Sequence, residues 1–308
     1  MDNSAPVLAK RNVISFADVG ARYEGGPEIL SDVSFNISSH SFYFLTGASG
    51  AGKTTLLRLV YHLHQQSRGQ IKLFGKSTAE MDRDGISDLR RKMAIVFQDY
   101  SLISHLSVFD NIALPLRVRG RDEKYIKKLV TRALQWVGLA QYADTLPLNL
   151  SGGQQQRVAV ARAIITEPEI LLADEPTGNL DDASAAKLME MFIRMNKSFG
   201  TTIILATHSK KLLDMYKFPR ILVENHKVTF VGNQAAQAAP QKPAKPEREK
   251  SEIPARQDKN YFSKLSEELQ KQFNSIADTD EKPPFANSTS PRLRATGAAG
   301  DKQKTENK

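Results

Sequence analysis

The chain contains no cysteine and a single tryptophan. Without a thiol there is no disulfide framework, no thiolate chemistry and no cysteine-ligated metal. The composition fits a reducing compartment. Long hydrophobic runs are missing too. The longest, such as Met93–Phe97 and Ile170–Ala173, fall far short of the ~18 residues of a membrane span. The first residues, MDNSAPVLAKRNVISF, hold no apolar stretch of the kind a signal peptide needs. The expectation is a cytosolic protein whose contact with any membrane is peripheral or made through a partner. Nor is there a block of lysine and arginine. The net charge of +9 is spread thinly: 14 of the 43 basic residues lie beyond Gly232, together with 11 of the 34 acidic ones. A solvated surface accounts for that balance, and no nucleic-acid partner is expected.

What is present is a chain of 308 residues, enough for one large or two modest domains with a sizeable core. Up to residue 232, short β-branched and aromatic runs alternate with longer helical stretches, which argues an α/β fold. From Asn233 the character changes to QAAQAAPQKPAKPEREKSEIPARQDK, rich in Pro, Ala, Lys and Glu. Such a segment buries too little apolar surface to offset its ordering entropy, so 233–258 reads as a disordered linker and 279–308 as a disordered tail. Between them, Phe262, Leu265, Leu269, Phe273 and Ile276 recur at helical spacing, making 259–278 a candidate amphipathic helix. The same pattern fits a marginal helix without a partner, because isolated helices of this length are barely stable. No internal repeat is visible.

Gly47-Ala48-Ser49-Gly50-Ala51-Gly52-Lys53-Thr54-Thr55 fits GxxxxGK[ST]. On average composition that pattern arises by chance in about one chain in a hundred of this size. Context strengthens it. Phe42–Thr46 reads as a buried strand before it, and Leu56, Leu57, Leu59, Val60 and Leu63 give a helical apolar face after it. The glycines let backbone N–H groups approach phosphates, and the helix N-terminus adds its positive dipole end. Lys53 supplies a point charge to the β- and γ-phosphates, and the Thr54 hydroxyl is a Mg²⁺ ligand.

Ile170–Ala173 is a short apolar run suited to a central parallel strand, and it delivers Asp174 and Glu175 to the strand's C-terminal end. Adjacent acids on an extended chain point opposite ways, which predicts different tasks. Asp174 fits the Mg²⁺ shell. Glu175 fits a general base that polarises an attacking water. A second small-residue loop, Leu150-Ser151-Gly152-Gly153-Gln154, opens the helix-like stretch Gln155–Ile165 and reads as a second anion site. One nucleotide does not need two such loops. Two copies meeting head to tail would place each nucleotide between one chain's Lys53 loop and the other chain's Ser151 loop.

These residues resemble the ATP-binding cassette ATPases. LSGGQ has the form of that family's signature motif, which average composition yields in a few of ten thousand chains. The resemblance covers residues 11–232. It implies a P-loop core with a RecA-like sheet, an N-terminal antiparallel β-subdomain and a helical signature subdomain over about 99–160. It implies ATP and Mg²⁺ as ligands, a head-to-tail homodimer, and roles for further residues. Tyr23 stands where an aromatic stacks on adenine. Gln98 matches the glutamine that approaches Mg²⁺ and faces the membrane partner. Asn179-Leu180-Asp181 matches the loop that crosses the dimer interface, and His208 the histidine contacting the γ-phosphate. Thr54, Gln98 and Asp174 would then hold the metal, and Glu175 and His208 serve catalysis.

Glu175-Pro176-Thr177-Gly178-Asn179-Leu180-Asp181 is similar to the branch holding the FtsE, LolD and MacB ATPases. Asp99, the stretch Leu102–Leu116 and Phe44–Lys53 look most like FtsE, the cell-division ATPases that pair with the membrane protein FtsX. That resemblance implies an ATPase on the cytoplasmic face of the bacterial inner membrane, peripheral, signalling through an FtsX-like partner to control peptidoglycan hydrolysis. The alternative is the ATPase of a lipoprotein-release or MacB-type exporter. A soluble cassette acting on ribosomes or DNA would fuse two cassettes or insert a long coiled coil, and neither occurs. Two departures stand out. His40-Ser41 replaces the usual Gly and short residue in the turn before Phe42. The stretch beyond Gly232 is longer than the FtsE branch needs, and its candidate helix would suit a further division-machinery partner.

Overall fold

The computed structural model describes residues 11–178 and 180–232. The linker, candidate helix and tail expected beyond Gly232 lie outside the described residues. The chain forms two sheets. Strands β1 (Asn12–Arg22), β2 (Glu28–Ser38), β4 (Arg68–Leu73) and β5 (Lys76–Ser77) make an antiparallel sheet in the order β2-β1-β4-β5. Strands β3 (Phe42–Thr46), β6 (Met93–Val96), β7 (Ile170–Asp174), β8 (Thr202–Ala206), β9 (Arg220–Glu224) and β10 (Lys227–Val231) make the other, ordered β10-β9-β3-β8-β7-β6. Its pairings are parallel except for the β9–β10 hairpin at one edge.

The parallel strands carry continuous apolar sequence because both of their faces are covered. Successive side chains enter alternate cores. On β7, Ile170 and Leu172 join the core shared with the antiparallel sheet, while Leu171 and Ala173 join the core under the long helix α6 (Asp182–Phe199). Strands β3 and β8 alternate the same way, with Tyr43, Leu45 and Ile204 on the first side and Phe44, Ile203 and Leu205 on the second. The first core also receives α1 (Lys53–Val60), through Leu56, Leu57, Leu59 and Val60. The second receives α5 (Gly152–Ile164) and α7 (Lys210–Met215). The other α-helices among the described residues are α2 (Arg83–Arg91), beside β6, and α3 (Val108–Val118) and α4 (Glu123–Trp136), which pack on each other and on α5.

One local expectation changes here. Helix α1 ends at Val60, so Leu63 leaves its apolar face and is 47% exposed. The stop is geometric: His62 turns left-handed at φ 55°. The residue standing in for the usual glycine, His40, itself adopts a left-handed φ of 63°. Its ring lies where a Cβ on Gly200 would sit, 2.2 Å from Nδ1. Gly200, the C-cap of α6, thus makes room for the imidazole, and Asn196 Nδ2 donates to the His40 carbonyl at 3.1 Å.

Candidate functional site

The site gathers at the C-terminal ends of β3, β6, β7 and β8, where parallel α/β sheets present ligand-binding loops. The loop after β3 runs from Gly47 into α1. Gly47 (φ 148°) and Gly50 (φ 76°) hold backbone geometries that side chains rarely adopt. A Cβ on Gly47 would stand 2.3 Å from the Val223 carbonyl oxygen, so the loop passes against β9 with no room for one. Ala48, Ser49 and Gly50 are exposed at the tip, Ala51 N donates back to the Ala48 carbonyl at 3.2 Å, and Gly52 caps α1. Lys53 is nearly buried, and its ammonium donates to the Gly47 and Ala48 carbonyls at 2.9 and 3.0 Å. It therefore lies folded back along its own loop.

Thr54 Oγ1 donates to Asp174 Oδ2 at 2.8 Å, joining the start of α1 to the end of β7. Burial pushes the Asp174 carboxyl above its usual range. The Thr54 hydrogen bond opposes the shift, the neighbouring Glu175 charge adds to it, and Lys53 and Arg58 oppose it. The extended geometry expected for both acids holds for Asp174 only. Glu175 lies past the strand in a left-handed conformation (φ 48°), its N–H donating to the Ala206 carbonyl at 3.1 Å. A non-glycine residue in that conformation costs roughly 1–2 kcal/mol. The turn aims Glu175 away from Thr54 and toward His208, whose Nδ1 lies 3.0 Å from Glu175 Oε2. His208 is 74% exposed and Glu175 only 11%. Thr207, fully buried beside it, anchors the loop through N–H donation to the Leu45 carbonyl and a hydroxyl that accepts from Ser209 N.

Gln98 follows β6, whose Val96 pairs with Ala173 of β7; its side chain is exposed at the same sheet end as Asp174. Tyr23 follows β1. Its hydroxyl lies 3.4 Å from Thr55 Oγ1 and accepts from Arg58 at 3.4 Å, while its ring is 4.6 Å from that of His64.

Ser151 is the N-cap of α5. It forms a reciprocal capping box with Gln154: Gln154 N donates to Ser151 Oγ at 3.3 Å and Ser151 N donates to Gln154 Oε1 at 2.8 Å. Within one chain this loop adjoins Tyr100 and Leu180. A Cβ on Gly152 would meet the Tyr100 hydroxyl at 3.2 Å, and one on Gly153 would meet Leu180 at the same distance. Asp181 caps α6 through Ser184, whose N–H and hydroxyl both donate to its carboxylate, and these hydrogen bonds hold its proton affinity low. Asn179 lies outside the described residues. A cleft of about 280 Å³ flanks Glu175 and His208, walled by Leu180, Ala185, Leu212 and Met215. None of the phosphate-loop residues lines it, so it opens beside that loop and not over it.

Sequence reading missed Arg162, which donates to the Tyr100 and Ser101 carbonyls at 2.9 and 2.7 Å. One signal was available: a lone arginine among Val160, Ala161, Ala163 and Ile164 on a helix mostly buried.

With this geometry in hand, comparison with known proteins gives consistent matches. The family model described as ABC transporter matches residues 30–178. The cell division ATP-binding protein FtsE of Escherichia coli K12 is 39% identical over 223 residues, which span 72% of this chain and 100% of that protein. FtsE of Bacillus subtilis is 38% identical over 213 residues, 69% of this chain and 93% of its own. The methionine import ATP-binding protein MetN 1 of Staphylococcus aureus is 39% identical over 186 residues, covering 60% of this chain and 54% of that protein. Among solved structures, the dimeric post-hydrolysis state of the ATP-binding cassette MJ0796 bound to ADP and Pi has a TM-score of 0.65 at 31% identity, over 70% of this chain and 96% of that one.

Proposed function

Because the chain belongs to the ATP-binding cassette ATPases and hydrolyses ATP, we propose that it is the FtsE-like engine of a cell-division complex, working as a homodimer with an FtsX-like membrane protein on the cytoplasmic face of the inner membrane. The observation that carries this reading is the match to FtsE over the whole length of the Escherichia coli protein and 93% of the Bacillus subtilis one. The Asp99–Leu116 stretch, the part that faces the membrane partner, supports it. Among the described residues no helix is long and apolar enough to cross a membrane. The residues beyond Gly232 suit a further division-machinery contact. A second reading is a transporter ATPase, of which the lipoprotein-release or MacB type is the form the sequence suggests; the identity to the import protein MetN 1 supports only the transporter part of that reading.

In the proposed cycle, Tyr23 stacks on adenine and the Gly47–Thr55 loop holds the phosphates. Lys53 exchanges the Gly47 and Ala48 carbonyls for β- and γ-phosphate oxygens. The Thr54 hydroxyl, the Asp174 carboxylate and the Gln98 amide oxygen are hard oxygen donors, the set Mg²⁺ prefers, and Thr54 and Asp174 already meet at 2.8 Å. When bound, the ion neutralises charge on the β- and γ-phosphates. Ser151, Gly152, Gly153 and Gln154 of a second copy close over the γ-phosphate with the N–H groups of their helix N-terminus, and Asp181 lies at the dimer contact. Glu175 accepts a proton from the attacking water, and His208 orients the phosphoryl oxygens. Affinity purification of the intact chain from membranes tests the reading. Recovery of an FtsX-like protein is the expected result. Recovery of a solute permease in its place refutes the division role while leaving the ATPase.

A further inference from the structure

Two residues unused in that cycle join the Gln98 loop to α5. After β6 the chain turns through Tyr100 (φ 62°) and Ser101 (φ 45°), consecutive non-glycine residues in the left-handed region. Such a turn persists only where its surroundings hold it. Arg162, in the last turn of α5, does so: Nη1 donates to the Ser101 carbonyl at 2.7 Å and Nη2 to the Tyr100 carbonyl at 2.9 Å. Ser101 Oγ adds a bond to Asp99 Oδ1 at 2.7 Å. At the opposite end of the same helix, the Tyr100 hydroxyl abuts Gly152, leaving only 3.2 Å for a Cβ. The Tyr100 ring also packs against the core beneath α6. One turn is thereby tied to the first and last turns of α5.

We infer that Arg162 and Tyr100 form a strut that makes the Gln98 loop move with α5, so that seating of Ser151 on a nucleotide in a second copy repositions Gln98 in the first. The inference rests on the proposed roles of the Gln98 and Ser151 loops. A helix of 13 residues is about 20 Å of rigid rod, long enough to carry a displacement from one loop to the other. The planar guanidinium meets the two carbonyls with two N–H groups in one fixed geometry, whereas a lysine ammonium is a point donor on a flexible stem that leaves their spacing free. Arg162 and Tyr100 are positioning residues in this scheme, since they act through the Gln98 loop and α5.

The test uses the full chain with Arg162→Lys and, separately, Tyr100→Phe. In each, amide hydrogen exchange over residues 98–103 should quicken, by about tenfold for Arg162→Lys, while residues 152–161 keep their protection. Turnover of ATP should fall by about tenfold with KM within about twofold. Unchanged exchange over 98–103 in both variants overturns the strut, whatever turnover does. Faster exchange there with unchanged turnover overturns its part in the cycle. Equal loss of protection in 152–161 marks plain destabilisation and also overturns it. Should the unsubstituted chain fail to hydrolyse ATP, the proposed function falls, and the exchange comparison still judges the strut.

Discussion

Substituting alanine for Gly47 or for Gly50 separates two glycines that the phosphate-loop pattern treats alike. At Gly47 a Cβ would lie 2.3 Å from the Val223 carbonyl oxygen, about 1 Å inside an ordinary C···O contact of ~3.3 Å. Its φ of 148° is one that alanine scarcely adopts. Relief requires β9 to move off β3, against the ladder that pairs Thr46 with Leu222. Conformational strain of about 1–3 kcal/mol and overpacking of about 1–3 kcal/mol combine to about 4 kcal/mol. At Gly50 φ is 76° and nothing lies within 4 Å of an added Cβ, leaving the left-handed penalty alone, about 1 kcal/mol. With an m-value of roughly 3 kcal/mol per molar urea, the midpoint falls by about 1.3 M for Gly47→Ala and by about 0.3 M for Gly50→Ala. The assay is urea unfolding followed by circular dichroism, with fluorescent ATP-analogue binding in parallel. Equal midpoint shifts in the two variants would refute the reasoning, since they would mean that the approach of β9 plays no part.

Three further outcomes are expected. Glu175→Gln should lower ATP turnover by at least about a hundredfold while keeping ATP binding and leaving an ATP-dependent dimer visible by size-exclusion chromatography; ordinary turnover would remove Glu175 as the base. Asp174→Asn should raise stability at neutral pH and abolish hydrolysis. The native carboxyl has its pKa raised by burial, so above the usual 3.8 the folded state holds the proton longer than the unfolded state, and stability declines as pH rises through that window. Urea midpoints measured from pH 4 upward should show this decline in the parent chain and a weaker one in the variant. Phe192→Ala, at a fully buried position under the parallel sheet, should cost about 3–5 kcal/mol without changing ATP affinity in the fraction that remains folded, read by urea unfolding and analogue binding.

Much of the fold was legible because its signals are local. The apolar runs Phe42–Thr46 and Ile170–Ala173 are strands, and the glycine loop opens a helix at Lys53. The small-residue loop Leu150–Gln154 opens a helix, which begins at Gly152, before the stretch expected to be helical, and the Ser151–Gln154 capping box there is a finding of the structure. Other features were not legible because they depend on neighbours far along the chain. The early end of α1, which exposes Leu63, follows a left-handed His62 that no periodicity marks. His40 is tolerated in a glycine's conformation because Gly200, distant in sequence, leaves space for its ring.

The sequence by itself determined which chemical groups are available: a glycine loop of the phosphate-binding pattern, a carboxylate pair, a second small-residue loop and a histidine, each written in a few adjacent residues. Tertiary structure alone decided how they face one another. The parallel register of β7 and β8 sets Asp174 beside Ala206, and the left-handed turn that follows sends Glu175 to His208 while Asp174 stays with Thr54. A backbone conformation that costs free energy locally persists only when distant contacts enforce it, and those contacts exist once the sheet has formed.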